Sequence, residues 1–190
     1  SFYALALGGA AAMVCAASGW FLAAYGAVAL AAGAAAAAGV DKQRAWLAFG
    51  ALYVLAPSVS LIWLRAEVEN GRALALMLFV IVWAADSGGY FGGRLVGGPK
   101  MSPAVSPAKT WAGAVGGVSF GAVAGPLVAR WIYGDDALGF YALAGAALGL
   151  ASILGDMAES AFKRTFGIKD MSGFIPGHGG VLDRLDGMIF

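Results

Sequence analysis

Charge is scarce in this sequence. Only 12% of its 190 residues are Asp, Glu, Lys or Arg, while 61% are hydrophobic and the mean hydropathy is +0.79. That composition lies outside the range of water-soluble domains and is that of an integral membrane protein. The single cysteine, Cys15, excludes an internal disulfide framework and a multi-cysteine zinc site, and reads as a small buried hydrophobe. The single histidine, His178, has no Cys or second His with which to build a zinc site. With a net charge of +1 and no basic patch interleaved with aromatics, a nucleic-acid partner is not expected. The opening run SFYALALGGAAAMVCAA lacks a basic n-region, so it reads as a spanning or partly spanning helix rather than a cleaved leader. The chain starts without Met and stops at Phe190 soon after its last acid, and is expected to be part of something longer.

What is present is a series of apolar runs near the length needed to cross a bilayer, about 20 residues. They cover Phe2 to Ala17, Trp20 to Ala38, Ala45 to Leu64 with Pro57 inside, Ala73 to Tyr90, Trp111 to Tyr133 and Ala137 to Phe166, with a last one beginning near Val181. The first two are weak, because Ala contributes little to insertion. Pro57 is expected to kink the third and free a backbone carbonyl. Trp111 to Tyr133 carries Gly113, Gly116, Gly117, Gly121 and Gly125, small residues that permit close helix contact. Between the fourth and fifth runs, Gly92 to Thr110 reads as a Gly- and Pro-rich loop whose Ser-Pro steps favour extended, non-helical backbone. The fold class is therefore all-α and polytopic, with about six or seven transmembrane helices. Residues 1–72 read as a scaffold and residues 73–190 as the region that carries chemistry.

Alternation places Lys42, Arg44, Arg94, Lys100, Lys109, Lys163, Arg164, Lys169 and Arg184 on one side of the membrane, against Arg65, Arg72 and Arg130 on the other. The positive-inside rule makes the first side cytoplasmic and gives the chain a cytoplasm-facing polar cleft.

The densest polar stretch, Ser160 to Asp186, gathers Lys163, Arg164, Lys169, Asp170, His178, Asp183, Arg184 and Asp186. Just upstream, Asp156, Glu159 and Lys163 share one helical face, Asp183 and Asp186 repeat the i, i+3 spacing, and Asp86 ends a helix on the same side. Clustered acids near a membrane surface are held either by a hard cation such as Mg²⁺ or by salt bridges to the neighbouring Lys and Arg; spacing alone leaves both open. Gly177, Gly179 and Gly180 form either a plain turn or a loop whose backbone can approach a phosphate. His178 is a general base or, as a lone loop histidine more commonly is, a backbone-bonded residue. The run GGRLVGGPK is not a P-loop, since Pro99 and Met101 stand where that loop needs other residues, and no βαβ context exists for a dinucleotide fold.

The run Ser160-Ala161-Phe162-Lys163-Arg164, then Lys169-Asp170, then Pro176-Gly177-His178-Gly179-Gly180-Val181-Leu182-Asp183-Arg184-Leu185-Asp186 resembles the signature of the phosphatidate cytidylyltransferases, or CDP-diacylglycerol synthases. The likeness extends to Asp86-Ser87-Gly88-Gly89-Tyr90, Gly93-Arg94-Leu95, Ser106-Pro107-Ala108-Lys109-Thr110-Trp111 and Gly155-Asp156 with Glu159-Ser160, so it covers about residues 83 to 190, and more weakly Leu64-Arg65. Three positions in two motifs depart from the family pattern. Ser87 and Gly89 replace the usual Thr and Ala, and Ala112 stands where the family commonly has Glu, which removes any role for that acid.

The resemblance implies transfer of the cytidylyl group of CTP to phosphatidic acid, with release of pyrophosphate. It makes Asp156, Lys163, Arg164, Lys169, Asp183 and Asp186 catalytic, with Asp156, Asp183 and Asp186 holding one or two Mg²⁺ ions and a second, monovalent cation left open. Asp86, Ser106, Lys109, Thr110, Ser160, His178, Gly179, Gly180 and Arg184 are expected to bind substrate. The expected partners are CTP, phosphatidic acid and membrane lipids, a homodimer is compatible, and the expected location is the bacterial inner membrane with the site facing the cytoplasm. Near alternatives are a cytidylyltransferase for another lipid phosphate or a CTP-dependent lipid-alcohol kinase. A cation transporter is the rival from another class, and it requires acids near the bilayer midplane in two matched halves.

Overall fold

The structure, a computed structural model, describes residues 2–38, 43–134 and 137–165. Among these residues lie six α-helices: α1 (Phe2–Ala17), α2 (Phe21–Ala38), α3 (Gln43–Glu67), α4 (Gly71–Phe91), α5 (Trp111–Tyr133) and α6 (Leu138–Thr165). A single π-helical turn, Gly92–Val96, follows α4, and a hairpin of β1 (Lys100–Ser102) and β2 (Ser106–Thr110) leads into α5. Four helical segments are long and apolar enough to cross a membrane: Ala48–Glu67, Gly71–Val96, Trp111–Tyr133 and Leu138–Ala161. Leu5–Ala17 and Phe21–Ala37 are apolar but shorter. The described chain is thus an α-helical, polytopic membrane protein. Asp41, Lys42, Asp135, Asp136 and the apolar segment expected from Val181 lie outside the described residues.

The described residues form two compact units that divide near the start of α4, one reaching Ala75 and the other beginning at Leu76. In the first, α1, α2 and α3 pack on small side chains, with Ala12, Ala16, Ala24, Val28 and Val59 fully buried and Leu55, Ala56 and Ile62 against them. α1 ends because Gly19 takes a left-handed conformation (φ +79°), letting the Trp20 N–H reach the Cys15 carbonyl at 2.8 Å and the Gly19 N–H reach Ala16 at 3.1 Å. This double bond satisfies carbonyls that the helix end would otherwise leave open. α3 continues through Pro57, whose missing N–H removes one backbone bond. Ser58 Oγ donates to the Val54 carbonyl at 2.7 Å and Ser60 Oγ to Ala56 at 2.9 Å, so nearby hydroxyls serve this turn of the helix. Ser60 also bonds Tyr25 Oη at 2.8 Å, tying α3 to α2.

In the second unit α5 is the central element, and glycine sets its distance from both neighbours. A Cβ on Gly121, Gly125 or Gly145 would lie 2.5, 2.2 or 2.1 Å from a carbonyl oxygen of the facing helix, so α5 and α6 touch backbone to backbone. Towards α4, Gly88 and Gly116 face each other in the same way, with each absent Cβ within 2.5 Å of the other residue's carbonyl oxygen. Between helices in lipid no hydrophobic driving force operates, and such small-residue faces let dispersion contacts accumulate.

The segment Gly92–Thr110 corrects the sequence expectation at its start. Its first five residues continue the helix as a π turn, in which the Gly97 N–H reaches the Gly92 carbonyl at 3.2 Å. A Cβ at Gly92 would meet the Ala112 carbonyl oxygen at 2.5 Å, so the turn rests directly on the first turn of α5. The rest is extended as the Ser-Pro steps suggest. β1 and β2 pair antiparallel, with Lys100 opposite Thr110 and Ser102 opposite Ser106, and Pro103 lies in the turn closed by the Val105 N–H on Ser102 at 3.2 Å.

Candidate active site

The hairpin delivers its last two residues to the start of α5. Thr110, extended at φ −118° and ψ 157°, caps the helix: its Oγ1 accepts the Gly113 N–H at 3.1 Å, and the residue is 5% exposed. One of the unpaired donors of a helix start is thereby satisfied. One residue earlier, Lys109 reaches α6, where its Nζ lies 2.8 Å from Asp156 Oδ2 and 3.5 Å from the Ile153 carbonyl. Both side chains of this ion pair are about one quarter exposed.

One turn before Asp156 on α6, Ser152 is 2% exposed and its hydroxyl donates to Asp86 Oδ1 of α4 at 3.3 Å. One turn after Asp156, the buried Glu159 carboxylate meets Lys163 Nζ at 2.8 Å, an i, i+4 pair with both side chains largely out of water. Taking two charges from water is costly, and their close approach offsets part of that cost. Arg164 is exposed, with Nε 3.5 Å from the Val105 carbonyl of the hairpin.

The Lys109–Asp156 pair borders a cavity of about 450 Å³, lined by Asp86, Gly89, Tyr90, Gly93 and Arg94 from α4 and the π turn, Met101, Ala108, Lys109 and Thr110 from the hairpin, Gly113 and Ala114 from α5, and Ile153 and Asp156 from α6. Two carboxylates and two cations therefore share one hollow where the C-terminal ends of α4 and α6, the hairpin and the start of α5 converge.

Of the residues singled out in the sequence, Asp86, Lys109, Thr110 and Asp156 line this cavity; Ser106, Ser160, Lys163 and Arg164 are described but stand outside its lining. Lys169, His178, Gly179, Gly180, Asp183, Arg184 and Asp186 lie outside the described residues. Among the described residues no three His, Cys, Asp or Glu side chains converge as a metal site. Sequence reasoning assigned no role to Arg94 or Tyr90, although both fall within the matched runs, and passed over Ser152. Ser152 could have been found from its spacing, since it stands four residues before Asp156 on the same helical face.

Charged side chains gathered from the ends of apolar helices around one hollow define a polytopic membrane protein with a polar site at one end of its spans. Within that class the chain belongs to the Cytidylyltransferase family, whose sequence profile matches residues 2–190. It is similar to proteins named phosphatidate cytidylyltransferase. The Brucella suis protein is 44% identical over 146 residues, covering 77% of this chain and 54% of the relative. The Haemophilus influenzae protein is 46% identical over 124 residues, covering 63% and 43%, and the Pseudomonas aeruginosa protein is 42% identical over 144 residues, covering 75% and 52%. The chain spans about half the length of the curated relatives it matches.

Proposed function

We propose that the protein transfers the cytidylyl group of CTP to phosphatidic acid at the cavity between α4, the hairpin and α6, forming CDP-diacylglycerol and pyrophosphate. The observation that carries this reading is the convergence of Asp86, Lys109 and Asp156 on one cavity in a chain of the Cytidylyltransferase family. The nucleophile is a phosphate oxygen of the lipid, which is already anionic at neutral pH. It attacks the α-phosphorus of CTP, the bond from that phosphorus to the bridging oxygen breaks, and pyrophosphate leaves with the electron pair. No strong base is needed; the difficulty is bringing two polyanions together, and stabilisation by fixed positive charge is the remedy.

Lys109 is suited to that work because the hairpin fixes its backbone and an incoming phosphate competes with Asp156 for its ammonium. Asp86 is held in place by the buried Ser152 hydroxyl. Asp86 and Asp156 supply hard carboxylate oxygens to one hollow, a donor set that suits Mg²⁺, which binds one or two carboxylates together with substrate phosphates. Asp156 would hold the ion together with Asp183 and Asp186. Bound there, Mg²⁺ would polarise phosphoryl oxygens and offset the charge of the triphosphate. The site is assigned to the cytoplasmic face of the bacterial inner membrane because Lys and Arg are concentrated on the side that carries it.

The test is a lipid-extraction assay on the full-length protein with phosphatidic acid, Mg²⁺ and CTP labelled at either the α- or the γ-phosphate. Label from the α-position in lipid, abolished by EDTA, is the expected result. Label from the γ-position would show a lipid kinase instead, and no label in lipid from either would overturn the reading.

A further inference from the structure

Arg94 lines the same cavity as Lys109, yet the two cations are differently committed. The Lys109 ammonium is 2.8 Å from the Asp156 carboxylate, whereas Arg94 has no ion pair among the described residues. Its guanidinium lies over the ring of Tyr90, 5.6 Å from the centroid, and one N–H donates to the Tyr90 hydroxyl. Both interactions are with a neutral partner, so among the described residues no carboxylate is paired directly with the positive charge that Arg94 brings to the cavity. A guanidinium has five N–H donors in a plane; stacking on one face and one hydrogen bond leave most of the fork available.

The backbone beneath Arg94 is also fixed. It sits in the middle of the π turn, a structure that recurs at functional sites. That turn is pressed against α5 at Gly92, and a Cβ on Gly93 would lie 3.3 Å from the Oγ1 of Thr110, the hydroxyl that caps α5. The two residues after Arg94, Leu95 and Val96, are apolar and 79% and 77% exposed, and Val96 ends the membrane-crossing segment Gly71–Val96. A cation flanked in this way stands at the boundary of the hydrocarbon, within reach of both a lipid headgroup and a nucleotide entering from water.

We propose that Arg94, preorganised by Tyr90 on the π turn, is a substrate-binding residue that holds a phosphate group through the free edge of its guanidinium. This assignment rests on the cytidylyl-transfer reading. The phosphate is that of the lipid or one of those of the nucleotide, and steady-state kinetics of the full-length protein in mixed micelles separates the two.

Arg94→Gln is expected to raise the KM for the substrate concerned by roughly tenfold to a hundredfold, as loss of a charge-assisted contact does. Arg94→Lys is expected to recover only part, because an ammonium keeps the charge but not the fork. A rise confined to CTP assigns the nucleotide phosphates; a rise confined to the surface concentration of phosphatidic acid assigns the lipid; a rise in both places Arg94 between the two. A merely structural role would lower kcat or the yield of folded protein without selectively moving a KM. Both KM values within twofold of wild type in Arg94→Gln would overturn the proposal, as would a loss confined to kcat. Binding of CTP and of phosphatidic acid, read as a thermal shift of the wild type and of Arg94→Gln, keeps the two ideas apart. A wild-type protein that makes no CDP-diacylglycerol removes the reaction, whereas equal shifts in wild type and variant remove the role of Arg94.

Discussion

The helices before Ala75 are spaced by alanine, and those after it by glycine. In the first unit the buried contacts are methyl on methyl, at Ala12, Ala16, Ala24 and Val28, and Gly26, Gly33 and Gly50 have no heavy atom within 4 Å of where a Cβ would stand. Gly8 against Ala31, Gly9 against Leu55 and Gly71 against the Leu64 carbonyl, where the chain turns from α3 into α4, are the exceptions. In the second unit Gly88, Gly116, Gly121, Gly125 and Gly145 each lie against a facing backbone. The same residue type therefore stands open at Gly26, Gly33 and Gly50 inside the helices of one unit, whereas in the other it forms the helix-to-helix contact itself. The reason lies in what the second unit must hold. Lys109 is reached from a hairpin and Asp156 from α6, 47 positions apart, yet they meet at 2.8 Å, which requires helix axes close enough for short side chains to bridge.

The strongest way to sharpen this contrast is to remove the charge that the glycine packing positions. Asp156→Asn in the full-length protein should lower CDP-diacylglycerol formation by about a hundredfold to a thousandfold, the scale seen when one group that stabilises transition-state charge is lost. Membrane insertion and yield should not change, and near-normal turnover would detach Asp156 from the chemistry. Next in size is Gly145→Ala. A methyl placed 2.1 Å from the Gly121 carbonyl oxygen must push α6 from α5, at a cost of about 1–3 kcal/mol for overpacking. A lower Tm in detergent, together with reduced activity because α6 carries Asp156, is the expected pair of results; an unchanged Tm would show that glycine does not set the α5–α6 distance. Smaller again is Ser152→Ala, which removes the hydroxyl bonded to Asp86. Hydrogen bonds between helices in membranes average about 0.6 kcal/mol, so turnover should drop only a few-fold while Tm moves little.

The helical layout was legible because apolar runs of spanning length are a strong pattern, and α5 and α6 fall within one residue of the ends expected for α5 and the start expected for α6. The π turn was not legible. Its helical continuation through Gly92 depends on the approach of Ala112, a tertiary contact, whereas Gly and Pro nearby favour a loop on local grounds alone. In the site, Asp86, Lys109 and Asp156 stood out as charges on an apolar background, which is costly to maintain without a reason. Ser152 did not, since a small hydroxyl in an Ala- and Gly-rich helix carries no such cost when it is hydrogen-bonded. The Glu159–Lys163 pair was present in the spacing as i, i+4, but spacing alone could not decide between that pairing and separate roles for the two residues.

The smallest effect, and the one of opposite sign, belongs to Gly33→Ala on α2. With no heavy atom within 4 Å of the new methyl, nothing has to move, and α2 gains the rotational restraint that glycine lacks in a helix interior. The expected change is a gain of roughly 0.5–1 kcal/mol, read as a small rise in Tm with activity unaltered. The value of this variant lies in its pairing with Gly145→Ala, because the chemical change is the same and only the facing surface differs. If both substitutions lowered Tm alike, helix propensity and packing could not be separated in this protein, and the contrast between an alanine-spaced and a glycine-spaced unit would fail. A rise at Gly33 beside a fall at Gly145 places the difference in the backbone contact between α5 and α6.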